Sequence, residues 1–278
     1  MKVARSVAQA RAERADLRAP VGFVPTMGAL HAGHTSLVER ARAECESVVV
    51  SLYVNPLQFA PGEDFSRYPR TFERDAALLE AAGADLLFAP SDEELVGANA
   101  PTAVEVGAIA AHLEGERRPG HFRGVATIVH KLFDVIRPQR AYFGQKDAQQ
   151  LAVVRRMTAE MDLPVEIVQC PIVRDSDGLA LSSRNAYLSD EERREAVRLS
   201  RVLRTIADGL RDGRRDIAAL IRESLPDLAP LRNDYVAVVD SGAFEPLEFA
   251  PAGAELLVVG AAYCGATRLI DNMEVRTP

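Results

Sequence analysis

Over its first two-thirds the chain alternates short β-branched runs with stretches of helical periodicity, and that alternation restricts the folds open to it more than any other feature. Strands are expected at Val21–Pro25, Val48–Val54, Asp85–Ala89, Arg140–Phe143 and Val165–Val168. Between them, helical patterns run over Thr35–Cys45, Thr71–Ala82, Val125–Ile136 and Ala148–Met161. In the last of these, Leu151, Val154, Met157 and Met161 share one face. Strands alternating with helices imply βαβ units and a parallel sheet covered on both sides. The expected class is therefore α/β, a Rossmann-like doubly wound parallel sheet.

The pattern changes after Val173. Arg174-Asp175-Ser176-Asp177-Gly178 is turn chemistry, and a charged helix follows, capped by Ser189 with Glu192 three residues on. A further helix is expected over Asp216–Ser224, and strands at Tyr235–Val239, Leu256–Ala262 and Arg268–Asp271. These boundaries divide the chain into a first domain over residues 1–173 and a smaller α+β domain over 174–278. The 278 residues suffice for two such cores.

Bulk properties exclude several partners. A formal net charge of −7 argues against a nucleic-acid surface. The N-terminal segment mixes Arg with Glu and Asp and has no apolar run, so neither a secretory signal nor a membrane span is expected. The expected location is cytoplasmic. Cys45, Cys170 and Cys264 are far apart and lack CxxC spacing, so they read as small buried hydrophobes in a reducing compartment. Of 33 basic side chains only Lys2, Lys131 and Lys146 are lysines, which draws attention to each of them.

Three of four candidate segments sit where an open α/β sheet binds ligands, at the carboxyl ends of its strands, and the fourth precedes a helix. The first is Pro25-Thr26-Met27-Gly28-Ala29-Leu30-His31-Ala32-Gly33-His34-Thr35. Its glycines allow close backbone approach, and a helix beginning near His34 offers its positive end to an anion. Gly28 to Thr35 nearly matches a phosphate-binding P-loop, but histidine stands in place of the lysine. A pair of satisfied loop histidines and half of a metal site are the alternatives. The second segment, Asn55-Pro56-Leu57-Gln58-Phe59, offers uncharged amides suited to a carboxylate and hydroxyls, though Asn-Pro is also simple turn chemistry.

The third, Gly144-Gln145-Lys146-Asp147-Ala148-Gln149-Gln150, places a cation and a carboxylate at a strand-to-helix junction, unless it is a plain surface loop. The fourth, Arg117-Arg118-Pro119-Gly120-His121-Phe122, gathers positive charge by a turn, or is a solvated loop. Past the domain boundary, Ser182-Ser183-Arg184-Asn185 could grip pyrophosphate oxygens.

His31-Ala32-Gly33-His34 resembles the HxGH signature of the nucleotidyltransferase superfamily. With its flanks, and with YVNPLQF, RPGHF, GQKDAQQ and SSRN following in order, the chain resembles the pantothenate synthetase family along nearly its whole length. The family's GEKD is departed from at Gln145, and its M-S-S-R-N at Leu181. The resemblance implies ligation of pantoate and β-alanine through a pantoyl adenylate, with MgATP as co-substrate and a homodimeric state.

It also implies site residues. ATP would be bound by Met27, Gly28, Ala29, Leu30, His31, Ala32, Gly33 and His34, by Gly144, Gln145, Lys146 and Asp147, and by Val173, Leu181, Ser182, Ser183 and Arg184. Pantoate and β-alanine would meet Pro25, Thr26, Met27, Asn55, Gln58, Arg118, His121 and Gln150. His34, usually credited as proton donor, together with His31, Lys146, Ser182, Ser183 and Arg184, would serve catalysis. Three rivals remain: an HxGH adenylyltransferase acting on another substrate, a P-loop kinase making ADP, and a nucleotide-binding regulatory module without turnover.

Overall fold

The central strands of the first sheet are buried along most of their length on both faces, as in a sheet covered on both sides. The computed structural model describes residues 1–97 and 102–278. These fall into two compact units, residues 1–145 with 153–171, and residues 146–152 with 172–278. The turn bearing Lys146 and Asp147 packs with the second unit.

In the first unit the strands are β1 (Lys2–Ala4), β2 (Val21–Thr26), β3 (Ser47–Leu52), β4 (Leu86–Phe88), β5 (Arg140–Gly144) and β6 (Glu166–Cys170). They form one sheet in the order β1-β4-β3-β2-β5-β6, and every pairing is parallel. Helices α1 (Val7–Ala15), α2 (Ala32–Glu44), α3 (Phe72–Ala81), α4 (Asp92–Leu95), α5 (Glu114–Arg117), α6 (His121–Ile136) and α7 (Ala148–Glu160) connect them. Only the first turns of α7, through Ala152, belong to the second unit. Val24, Val48, Val50 and Leu87 of the sheet pack with Leu37, Val38 and Leu79 of α2 and α3, all buried.

Strand order reverses between β2 and β5, the switch point at which doubly wound sheets open a crevice. The β2–β5 ladder pairs only Gly22 and Phe23, whereas β2 stays paired with β3 through Thr26. Tyr53 N–H donates to the Thr26 carbonyl (3.0 Å) on the β3 side. Backbone groups alternate along a strand, so Pro25 faces the β5 side, where the ladder has ended and no N–H is needed.

The five expected strands are present within a residue or two, as is the Rossmann-like class. Two helices begin earlier than their periodicity suggests. The second helix starts at Ala32 because His31 caps it, and α6 starts at His121 after Gly120 in the left-handed region (φ 83°). Strand β1 and helix α1 had no counterpart in the sequence reading, although Ser6 and Gln9 form a full capping box at the start of α1.

The second unit is α+β. Strands β7 (Arg232–Asp240), β8 (Glu255–Cys264) and β9 (Thr267–Arg276) form an antiparallel sheet in that order. Helix α8 (Asp190–Glu195) opens with the expected box, Ser189 Oγ accepting from Glu192 N–H (3.2 Å) and Glu192 Oε2 from Ser189 N–H (2.8 Å). Helix α9 (Val197–Arg211) follows at once. Its buried Val197, Leu199, Val202, Leu203, Ile206 and Leu210 recur at helical spacing and lie in one core with Leu256, Val258 and Leu269 of β8 and β9. Helix α10 (Ile217–Ser224) adds Ile217 and Leu220 to that core. All three cysteines are buried and free, and burial pushes the Cys170 thiol up to about 11. Among the described residues no helix is long and apolar enough to cross a membrane.

Candidate active site

The loop from β2 to α2 turns through left-handed backbone at Gly28 (φ 86°) and Ala29 (φ 51°). A buried carboxylate holds it there. Asp75 of α3, 1% exposed, accepts from the N–H groups of Ala29 (2.8 Å) and Leu30 (2.9 Å) and from the Thr71 hydroxyl (3.1 Å). A Cβ at position 28 would lie 3.1 Å from Asp75 Oδ2, so glycine answers both the positive φ and the close approach. Gly28 N–H in turn donates to Thr26 Oγ1 (3.3 Å), and Thr26 Oγ1 donates to the Ser51 carbonyl (2.7 Å).

The two histidines complete the loop as caps. His31 Nδ1 accepts from Gly33 N–H (3.2 Å), and His34 Nδ1 accepts from His31 N–H (3.3 Å). Their ring centroids are 4.1 Å apart. A neutral imidazole that accepts at Nδ1 carries its proton on Nε2. The N–H groups of residues 28–31 and of Gly33 are thus directed into the protein. This loop is no backbone cradle of the P-loop kind.

The second motif is built around Asn55, 3% exposed. Its Oδ1 accepts from Leu57 N–H (3.0 Å), while Nδ2 donates to Gln58 Oε1 (3.0 Å) and to the Gly124 carbonyl (3.1 Å). Asn55 therefore shapes the turn and aims Gln58. With Gln58 Oε1 held, its Nε2 is turned to the Met27 sulfur (3.0 Å), which brings the second motif against the histidine loop. Helix α6 comes so close that a Cβ at Gly124 would sit 2.1 Å from the Leu57 carbonyl oxygen.

Arg118 and His121 support the same glutamine from behind. Arg118 forms a fork with Glu63 (2.8 Å at each oxygen) and donates to the Gln58 carbonyl (3.3 Å). His121, 7% exposed, lies with Nδ1 2.9 Å from that carbonyl and Nε2 3.1 Å from Arg118 Nη1. A carbonyl only accepts and a guanidinium only donates, so Nδ1 carries the proton and Nε2 accepts. Burial, with the Arg118 charge beside it, lowers the imidazole to about 4 and keeps it neutral. Burial works to raise the Glu63 carboxyl, but Arg118 outweighs it and holds the group below its ordinary range. Arg118 and His121 thus reach the motif through Gln58.

At the end of β5, Gly144 leads into Gln145, whose Oε1 accepts from Gln169 Nε2 of β6 (3.0 Å). The position at which the chain departs from the family's glutamate therefore sits in a neutral amide pair.

The remaining motif residues belong to the second unit. Lys146 Nζ lies 3.9 Å from Asp147 Oδ1, and the Lys146 carbonyl accepts from Asn272 Nδ2 (3.1 Å). Gln150 is half-buried in the first turn of α7. Val173 pairs across a short hairpin with Leu181, whose N–H donates to it (3.0 Å). Ser182 Oγ caps the turn that follows, accepting from Arg184 N–H (3.3 Å), and Ser183 and Arg184 are half-buried beside it. Asn185 Nδ2 donates to the Ala180 carbonyl (3.0 Å).

Sequence reasoning missed Asp75 and Glu63. A signal existed for Asp75, since it lies on the Phe72–Leu79 stripe that α3 turns inward, an odd place for a solvated carboxylate. Glu63 had none, because it stands in an irregular segment.

A doubly wound sheet with a histidine-capped helix entering at its switch point defines a Rossmann-like enzyme of the HxGH kind. The pantoate–β-alanine ligase family model matches residues 2–274, and the chain belongs to that family. The pantothenate synthetase of Acidobacterium capsulatum is 56% identical over 257 residues, 91% of this chain and 85% of the relative. The crystal structure of pantothenate synthetase from Thermus thermophilus matches with a TM-score of 0.92 at 50% identity, covering all of both chains. Pantoate–β-alanine ligase from Francisella tularensis, solved in complex with β,γ ATP and β-alanine, matches with a TM-score of 0.81 at 32% identity over 98% and 97% of the chains.

Proposed function

We propose that this chain joins pantoate to β-alanine at the expense of ATP through a pantoyl adenylate. A pantoate carboxylate oxygen bonds to the α-phosphorus, and the bond from the α-phosphorus to the α,β-bridging oxygen breaks, so pyrophosphate leaves with the electron pair. The β-alanine nitrogen then bonds to the acyl carbon, AMP leaves, and the nitrogen loses a proton. Family membership across residues 2–274 supports the overall ligation, and the Francisella tularensis complex supports ATP and β-alanine as its co-substrates.

One observation in the site carries the choice of route. The loop spends the N–H groups of Gly28 to His31 and of Gly33 on Asp75, Thr26 and the two Nδ1 atoms, as a P-loop kinase could not. His31 and His34 are then Nε2–H donors to phosphate charge that grows as pyrophosphate departs. Complete proton transfer from a neutral ring would leave an imidazolate, so we assign His34 hydrogen bonding in place of proton donation. Met27 through His34, Gly144 and Gln145 are the ATP residues of the first unit. Lys146, Asp147, Val173, Leu181, Ser182, Ser183 and Arg184 are those of the second.

Pro25, Thr26, Met27, Gln58 and Gln150 serve pantoate, with Gln58 also serving β-alanine. Asn55, Arg118 and His121 act by fixing Gln58. Mg²⁺ belongs to the co-substrate, since it takes phosphate oxygens and water and asks little of the protein. The resemblance supports a homodimer and a cytoplasmic location as well. An adenylyltransferase that stops at a dinucleotide would have no use for the amide platform at Gln58. Purified protein given MgATP, pantoate and β-alanine should form pantothenate and AMP in equal amounts; ADP would refute the route.

A further inference from the structure

Lys146 and the Leu181–Arg184 turn lie far apart in sequence, yet within the second unit both rest on two consecutive residues of β9. Asn272, 2% exposed, gives its side-chain amide to the Lys146 carbonyl at 3.1 Å. Asp271, 5% exposed, takes the fork of Arg174 at 2.7 and 2.8 Å and the N–H of Asn272 at 2.7 Å. Arg174 also donates to the carbonyls of Gly178 (3.0 Å) and Asn272 (3.2 Å). It therefore binds the whole 173–181 hairpin, closed by the Arg174–Ala180 bridge and the Leu181 N–H to Val173 bond, onto the strand. Successive side chains leave a strand on opposite faces, so β9 reaches the hairpin with one residue and the Lys146 turn with the next.

Stability alone is a poor account of this arrangement. A buried carboxylate–guanidinium pair about breaks even against apolar packing, because desolvation offsets the attraction. Its advantage is directional, since a fork fixes the angle as well as the distance. The fork registers the hairpin that leads to Ser182–Arg184, and the next residue of the strand, Asn272, holds the Lys146 turn.

We propose that Asp271 and Asn272, with Arg174, are positioning residues for adenylation, setting Lys146 and the arm that leads to Ser182–Arg184. This rests on the reading of Lys146 as a phosphate-binding residue. Asn272 acts through the Lys146 backbone.

The test separates the two half-reactions in single turnover: adenylation from MgATP and pantoate, and aminolysis of supplied pantoyl adenylate by β-alanine. Asn272→Asp keeps the shape but loses the donor. It should slow adenylation by about 10–100-fold, the scale of an ångström-level misplacement, and leave aminolysis within about twofold. Lys146→Ala with Asn272→Asp should be no slower in adenylation than Lys146→Ala alone, because both act at one point. Should Asn272→Asp fail to fold, Asn272→Ala carries the same comparison. Unchanged adenylation, an equal fall in both half-reactions, or additive effects in the double variant would overturn the proposal. If Lys146→Ala alone leaves adenylation intact, the reading of Lys146 fails and this inference falls with it.

Discussion

The histidine loop and the Gln58 platform meet at Met27, but they are built on opposite principles. The loop is held by one buried carboxylate, Asp75, bonded only to neutral donors. The platform is held by a compensated set, in which Glu63 neutralises Arg118 and both Arg118 and His121 support a single carbonyl. The first relies on one carboxylate for two neighbouring N–H groups; the second has two supports for one oxygen. Charge in both places builds backbone geometry, and the groups assigned to ligand are a neutral imidazole pair and a neutral amide. The loop should therefore break sharply and the platform by degrees.

The largest effect is expected at His34. Asparagine can place an oxygen near the position of Nδ1 and keep the cap on His31 N–H, but it supplies no Nε2–H. His34→Asn should cut adenylation by on the order of 10²–10³, the usual loss for one charge-stabilising donor, with little change in Tm. A matching fall in Tm would mean that the ring is mainly a cap.

Asp75→Ala comes next. It strands the N–H groups of Ala29 and Leu30 in a buried site, at a cost of about 2–4 kcal/mol by denaturant titration. Adenylation should fall with it, while Thr71→Val, which removes one of three bonds to the carboxylate, should cost less than half as much. Equal losses would contradict a loop anchored mainly by its backbone.

Acid should weaken the platform through His121. Between the ordinary histidine value near 6.5 and about 4, the unfolded chain takes up a proton that buried His121 refuses. Stability then rises with pH across that window and is indifferent to this group above it. Acidification from pH 7 to below 4 should cost up to about 3 kcal/mol from His121 alone. Replacing His121 with asparagine should remove that part of the pH dependence, which chemical denaturation at stepped pH would reveal.

The smallest effect is expected for Arg118→Lys. One ammonium cannot fork to Glu63 and also reach the Gln58 carbonyl, yet His121 still holds that carbonyl. The KM for pantoate should rise by roughly tenfold or less, with the KM for ATP little changed. A rise confined to ATP would place the platform under the wrong ligand.

The same contrast explains what could be read from the sequence. The parallel sheet was legible because β2, β3 and β5 carry short apolar runs (Val21–Val24, Val48–Val50, Ala141–Phe143) separated by helical periodicity. The histidine loop, the NPLQF turn and the SSRN segment were legible because their residues are contiguous. Their supports were not. Asp75 stands 45 residues from Leu30, Glu63 55 residues from Arg118, and Asn272 126 residues from Lys146. Each is a common polar residue whose role exists only once the chain has folded. Strand β1 escaped because three residues carry no periodicity. At Asn55 the sequence did not show that the side chain is bonded to Leu57, Gln58 and Gly124.

The account turns on adenylate formation without the amine. Protein incubated with MgATP, pantoate and labelled pyrophosphate, and no β-alanine, should move label into ATP, and only when pantoate is present. Positional isotope scrambling within ATP covers the case of pyrophosphate held too tightly to exchange. Exchange or scrambling that depends on pantoate is the predicted result. Neither signal, with AMP still appearing once β-alanine is added, would contradict a free-standing adenylate and with it the two-step reading of the histidine loop.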